Sequence, residues 1–172
     1  VYDFINLSVG GPEPGDDQDG TRTVEYLERA QKVLRLICSN HPSSLGLHPA
    51  VYFYSWTGKQ QPILFLAMSE LVIGINQRKR LKQFTSAREK LETFLVENRA
   101  LVNQVVRKFG TKSSGRRNLL LFYSSVLTLL ENGESVESAV SELLKQDAYS
   151  YLQPEEVPYA RPSSSKVSTQ VK

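Results

Sequence analysis

The 172-residue sequence has little of what most catalytic, disulfide-bonded or membrane proteins are built from. One cysteine, Cys38, excludes an internal disulfide framework and fits a reducing compartment, so a cytoplasmic protein is expected. Two histidines and one cysteine cannot make a structural zinc site of the usual kind. The longest apolar run, Ile63 to Met68, is far too short to cross a bilayer, and no signal peptide is visible. No stretch alternates apolar and polar residues for long enough to demand a strand. Gly110 to Gly115 lacks the Gly-Lys-Ser/Thr ending and the preceding strand of a phosphate-binding loop, so nucleotide hydrolysis has little support. The acidic run in GGPEPGDDQDG, residues 10–20, lacks the twelve-residue ligand spacing and closing glutamate of a calcium loop, and reads as a solvated linker. Neither a metal nor a cofactor is expected. A first residue that is valine rather than methionine suggests a piece of a longer protein.

What is present is helix. Val24, Leu27, Val33, Leu34, Ile37 and Cys38 recur at three- and four-residue steps, with Glu25, Glu28, Arg29, Lys32 and Arg35 mostly opposite, so an amphipathic helix is expected from a Thr21 or Thr23 cap to about Ser39. On that stripe Cys38 reads as a small buried hydrophobe. Pro62 opens a helix whose residues 63–75 are apolar nearly all round, which predicts the most buried element. Ser86 to Glu89 has the pattern of a capping box. The apolar period from Leu91 to Phe109 fits one long helix or two broken near Asn98. A flexible basic loop is expected over residues 110–115, then an apolar helix over 119–130, and a last one capped by Ser135. Five to six helices are expected, packed as antiparallel neighbours around residues 62–75 and 119–130. The domain reading is a docking segment and acidic linker over 1–20, where VYDFINL is too apolar for a free end and reads as the end of a helix or a docking segment, an all-α helical bundle over 21–153, and a flexible tail over 154–172.

The run from Ser43 to Trp56 concentrates two of the eight tyrosines, the only tryptophan and His48. Pro49 fits the first position of a helix of about two turns ending at Thr57-Gly58. Such a short helix is marginal alone, so its rings must be buried against longer neighbours. Ser43, Ser44, His48 and Tyr52 form a candidate functional loop. His48 has no carboxylate nearby in sequence to orient it, and is expected to hydrogen-bond the Ser43–Gly46 loop. Tyr52 and Tyr54 could stack on nucleic-acid bases. An enzyme built on His48, Tyr52 and Cys38, with His41 as a second candidate base, is the weakest reading, and no catalytic residue is assigned.

Charge carries the strongest functional signal. The net +3 hides a basic middle: residues 78–117 hold twelve Lys and Arg against three Glu, while the segments before and after are mildly acidic. Arg78, Lys79, Arg80 and Lys82 form one candidate DNA-binding patch, and Lys108, Lys112, Arg116 and Arg117 another. The second patch sits where a helix N-terminus would also favour an anion. Ordinary solvated helix ends are the competing interpretation.

Asp19-Gly20-Thr21 with Tyr26-Leu27, the run SLGLHPAVYFYS over residues 44–55, Gly58 and Gln61-Pro62 together resemble a bacterial family. It is the helical region of proteins with a ParB-like N-terminal domain of the GmrS/GmrD type, some of which also carry a C-terminal HNH nuclease domain. Phe84-Thr85 with Arg88, Phe94-Leu95, Lys108-Phe109-Gly110 and Ser164-Ser165-Lys166 are similar to the same region, which would span residues 19–170. The resemblance implies a DNA-targeting, restriction-like or phage-defence setting, with nuclease or NTPase domains as neighbours. The ParB-like Asp-Gly-Gln-Gln-Arg motif and the HNH Cys/His cluster are absent, so no catalytic residue is carried over. The expected function is therefore a non-catalytic helical module that positions such domains and contacts DNA phosphates. The alternative is a protein-interaction scaffold, docking through residues 1–7 and the tail, that touches no nucleic acid.

Overall fold

A computed structural model describes residues 1–10, 17–55 and 58–154, and they are all-helical. Eight α-helices follow one another: α1 (Tyr2–Val9), α2 (Thr21–Cys38), α3 (Pro49–Tyr52), α4 (Pro62–Gln77), α5 (Leu81–Glu97), α6 (Arg99–Phe109), α7 (Ser113–Glu131) and α8 (Val136–Leu144). A 3-10 turn, Asp147–Tyr149, follows α8. The expected five to six helices were too few because VYDFINL is itself a helix and because the long period breaks at Asn98, between α5 and α6. Part of the acidic linker (11–16), Trp56 and Thr57, and the tail beyond residue 154 lie outside the described residues.

The core is built around α4 and α7, as the all-round apolar composition of both segments requires. From α4 it takes Ala67, Met68 and Val72, and from α7 Leu119, Phe122, Tyr123 and Val126, all essentially without solvent contact. Two ion pairs give the relative direction of these helices. Glu70, midway along α4, meets Arg116 near the start of α7 at 3.1 Å, and Arg80, just past the end of α4, meets Glu131 at the end of α7. The two central helices therefore run parallel, not antiparallel, and α5 and α6 make the intervening connection. In the reverse sense runs α5: its Phe94 stacks on Phe122 and its Lys90 reaches the carbonyls of Gly133 and Glu134 beyond α7.

Aromatic rings tie the outer pieces to the core. Phe4 of α1 and Phe53 after α3 both pack on Phe65 of α4, with centroids 5.1 and 5.2 Å away. The segment 1–9 is thus docked on its own chain, α1 lying against α2 and α4. Tyr149 packs edge-on to Phe122 and shares a 3.0 Å hydrogen bond with Ser125. Gln104 and Gln153 exchange two hydrogen bonds, which fastens the chain at residue 153 to α6.

Helix ends depart from expectation in instructive ways. Neither threonine caps α2. The carboxylates of Asp17 and Asp19 accept from the backbone N–H groups of Arg22, Thr23 and Thr21, so part of the acidic linker is the cap itself. The Thr23 hydroxyl also donates to Asp17, which holds that carboxyl below its ordinary range. Ser86 lies inside α5 and donates back to the Lys82 carbonyl, so the capping-box pattern marks no helix start. Ser135 does cap α8, accepting from the Ser138 N–H at 3.2 Å.

Candidate functional surface: an arginine-held loop and two cationic ends

The SLGLHPAVYFYS run is held from one side by two arginines. Its helix, α3, lasts a single turn rather than the expected two. The chain then leaves helical geometry at Phe53, and Tyr54 pairs with Gln60 in an antiparallel bridge. Such a turn exposes carbonyls that no helix continues to satisfy. Arg99, at the start of α6, supplies them: its guanidinium donates to the carbonyls of Tyr54 at 2.6 Å, Val51 at 2.8 Å and Ala50 at 3.1 Å. Three turns earlier, on α5, Arg88 donates to the carbonyls of Leu45 and Gly46. Its Nε pairs with Glu92 at 2.7 Å, and the same Glu92 oxygen accepts from the Tyr52 hydroxyl at 3.0 Å. Planar guanidinium groups suit such multidentate work, which a lysine cannot copy.

This network occupies the residues read as a functional loop. Tyr52 is 1% exposed and its hydroxyl is spent on Glu92, so it cannot stack on a base. The Ser44 hydroxyl accepts from the Ser39 and Gly46 N–H groups and donates to the Leu36 carbonyl, closing the end of α2. Ser43 bonds His41, whose Nδ1 lies 2.7 Å from its hydroxyl. The histidine that fastens the Ser43–Gly46 loop is therefore His41, not His48. His48 is exposed and serves through its backbone, as the residue before Pro49. Cys38 is exposed, against the expectation of burial. Among the described residues no group of three or more His, Cys, Asp and Glu side chains could hold a metal.

Burial pushes the Tyr52 phenol well above its usual pKa, with the Glu92 charge adding to the effect, and burial does the same to Tyr123. Free tyrosine ionises at about pH 10. The unfolded chain thus loses these protons first: the stabilisation is complete below about pH 10 and declines as pH climbs past it. Thermal melts followed by circular dichroism between about pH 9 and 11 should show a falling midpoint, and Tyr52→Phe should flatten that fall. An unchanged slope in the variant would mean that Tyr52 ionises as freely folded as unfolded.

The eight candidate DNA-binding residues separate into two groups. Arg78, Lys79, Arg80 and Lys82 lie in and after the turn between α4 and α5, beside the C-terminal end of α7, because Arg80 is paired there with Glu131. Lys108, Lys112, Arg116 and Arg117 lie at the N-terminal end of α7. The nineteen residues of α7 put these ends roughly 28 Å apart. The basic middle of the sequence is thus two clusters at opposite ends of one helix rather than one continuous face. Within them Arg80 and Arg116 are committed to ion pairs. Lys108 sits 3.8 Å from the centre of the Tyr151 ring, a cation–π contact. Arg78, Lys79 and Lys82 at one end, and Lys112 and Arg117 at the other, are exposed and without an ion-pair partner among the described residues. Arg107, exposed in the last turn of α6, joins the second group, and only its place in the basic segment could have signalled it.

Lys79 has a left-handed backbone, φ 57°. There the N–H of Arg80 closes on the Ile75 carbonyl at 2.9 Å, the closing bond of a helix end where glycine is the usual occupant. A cation stands where the local backbone favours the absence of a side chain.

No family model, curated protein or solved structure matches this chain.

Among the described residues no helix is long and apolar enough to cross a membrane. The loop expected to be a flexible basic element, residues 110–115, is shorter than its glycines implied. α7 begins at Ser113, so only Gly110, Thr111 and Lys112 connect α6 to it, and Gly115 is a buried helical residue. Lys112 stands just before α7, and its side chain makes no cap hydrogen bond to the helix.

Proposed function

We propose that this chain is a non-catalytic helical module that contacts the phosphate backbone of DNA at two points, the two ends of α7. In that role it would position neighbouring nuclease or NTPase domains, the setting implied by its resemblance to the helical region of ParB-like, HNH-associated proteins. The observation that carries the reading is the exposed cation set at each end, without an ion-pair partner among the described residues: Arg78, Lys79 and Lys82, and Arg107, Lys112 and Arg117. The first turn of α7, which the Lys112 side chain does not cap, adds backbone N–H groups that favour an anion. A separation of roughly 28 Å corresponds to about eight phosphate steps along a strand, so the two ends would grip separate parts of a duplex.

Binding of a duplex of about 20 base pairs, titrated by fluorescence anisotropy over a range of salt, tests this. With about four to six phosphate contacts, the slope of log K against log salt is expected at roughly −4 to −5. Lys112→Glu with Arg117→Glu should weaken binding at least about tenfold and make the slope shallower by about 2 units. Binding indifferent to these changes would remove the α7 end from the interface. No binding at low salt would favour the second reading, a protein-interaction scaffold, for which the bare apolar residues of α2 are the specific observation.

A further inference from the structure

The stripe that the sequence shows on α2 is two faces, and only one of them is covered. Ala30 and Ile37 are buried, with Val33 and Leu36 packed beside them against the core. Val24, Leu27 and Leu34 are 57%, 52% and 38% exposed, and Cys38 is exposed too. The cause is position: among the described helices α2 packs chiefly on α1 and α4, with the 45–47 loop hydrogen-bonded to its C-terminal end. Together with the exposed Gln31, the bare residues fall at 24, 27, 31, 34 and 38, alternating steps of three and four, which is the spacing of a two-stranded coiled-coil seam. One flank of this seam turns into the core, with Ala30 and Ile37. The other carries Glu28 and Arg35, both exposed and neither ion-paired among the described residues.

We infer that α2 pairs antiparallel with α2 of a second copy of this chain. The flanking charges choose both the partner and the direction. In an antiparallel pair the outer flanks of the two helices face each other. With Leu27 opposite Cys38 and Gln31 opposite Leu34, Glu28 of each copy lies within reach of Arg35 of the other, so the two-fold axis makes both opposite-charge contacts at once. A parallel pair would set each flank against the other helix's inner one, where Ala30 and Ile37 carry no charge, and would place Cys38 against Cys38. The seam, from residue 24 to residue 38, is roughly 21 Å long and holds few large apolar groups, so a dissociation constant on the order of 10⁻⁵ M is expected.

Sedimentation velocity of the full chain, from about 1 to 500 μM, should show a monomer passing to a dimer. Leu34→Glu should abolish the transition, since that side chain is exposed in the monomer and its replacement leaves the core untouched. Glu28→Arg should weaken the dimer about tenfold, and adding Arg35→Glu should restore it to within about threefold. With Leu27→Cys, diamide should trap a disulfide-linked dimer, the introduced thiol of one copy joining Cys38 of the other. The native chain, with Cys38 alone, should not cross-link. A monomer at every concentration, even in the native chain, overturns the inference and leaves the face to a different protein. Cross-linking through Cys38 alone overturns it in favour of a parallel pair. Failure of the double charge swap to restore the dimer removes the basis for the register.

Discussion

Gly115→Ala should lower the stability of this domain by about 3 kcal/mol or more, seen as a midpoint depressed by roughly 6–12 °C in a thermal melt. A Cβ at Gly115 would stand 1.7 Å from the carbonyl oxygen of Gly110 and 2.7 Å from its carbonyl carbon. Those atoms are backbone, and backbone cannot swing aside as the tip of a side chain can. The chain crosses so closely because α6 and α7 are joined by only three residues, and Gly110 takes φ 77°, ψ −169°, a conformation that side chains essentially forbid. Helix propensity works in the opposite direction. Alanine in place of a helical glycine ordinarily gains about 1 kcal/mol, so the sign of the measured change decides which effect wins. A stabilised Gly115→Ala protein would show that the Gly110 carbonyl retreats freely and that the connection is not locked.

The second large effect is expected at Arg99. Arg99→Met keeps much of the apolar stem and removes the three bonds to Ala50, Val51 and Tyr54. Burial lowers the pKa of this guanidinium, yet no carboxylate is paired with it among the described residues, so its charge is answered chiefly by carbonyl dipoles. Losing the bonds leaves half-buried acceptors at the end of a one-turn helix that has little stability of its own. A loss of about 2–4 kcal/mol follows, and Arg99→Lys should recover only a minor part of it, because one ammonium cannot fork to three oxygens. Hydrogen exchange supplies the local readout: amides of residues 51–53 and 61 should lose protection well beyond the global change. Uniform loss across the molecule would mean that Arg99 supports the α5–α6 junction and not the loop.

Arg99 and Arg88 together explain why the 44–55 run is distinctive without being catalytic. Its backbone turns sharply twice, and each turn leaves carbonyls that an arginine on the α5–α6 segment collects. Tyr52 closes the arrangement from inside by bonding Glu92, the partner of Arg88. The unusual composition is accounted for by internal satisfaction of polar groups. Arg78, Lys79, Lys82, Arg107, Lys112 and Arg117, in contrast, have no ion-pair partner among the described residues, which is why the functional reading rests on them.

The residues themselves settle a great deal. The absence of alternation and the recurring three- and four-residue steps dictate helices, and the all-round apolar character of 63–75 and 119–130 dictates which two are central. Pro49, Pro62 and Ser135 mark starts that the fold keeps, since each acts through its own backbone or its nearest neighbours. What the residues could not reveal depends on which element lies beside which. A periodic stripe says that a face is apolar but not whether anything covers it, so Val24, Leu27, Leu34 and Cys38 looked buried until α2 was found packed chiefly on α1 and α4. A hydrophobic pattern carries no direction, so only the Glu70–Arg116 and Arg80–Glu131 pairs reveal α4 and α7 as parallel. Charge counted along a chain likewise ignores three-dimensional distance. Residues 78–82 and 107–117 belong to one basic segment in sequence, yet the length of α7 places them at opposite ends, because a helix converts sequence separation into a rigid spacing that the residue count alone does not orient.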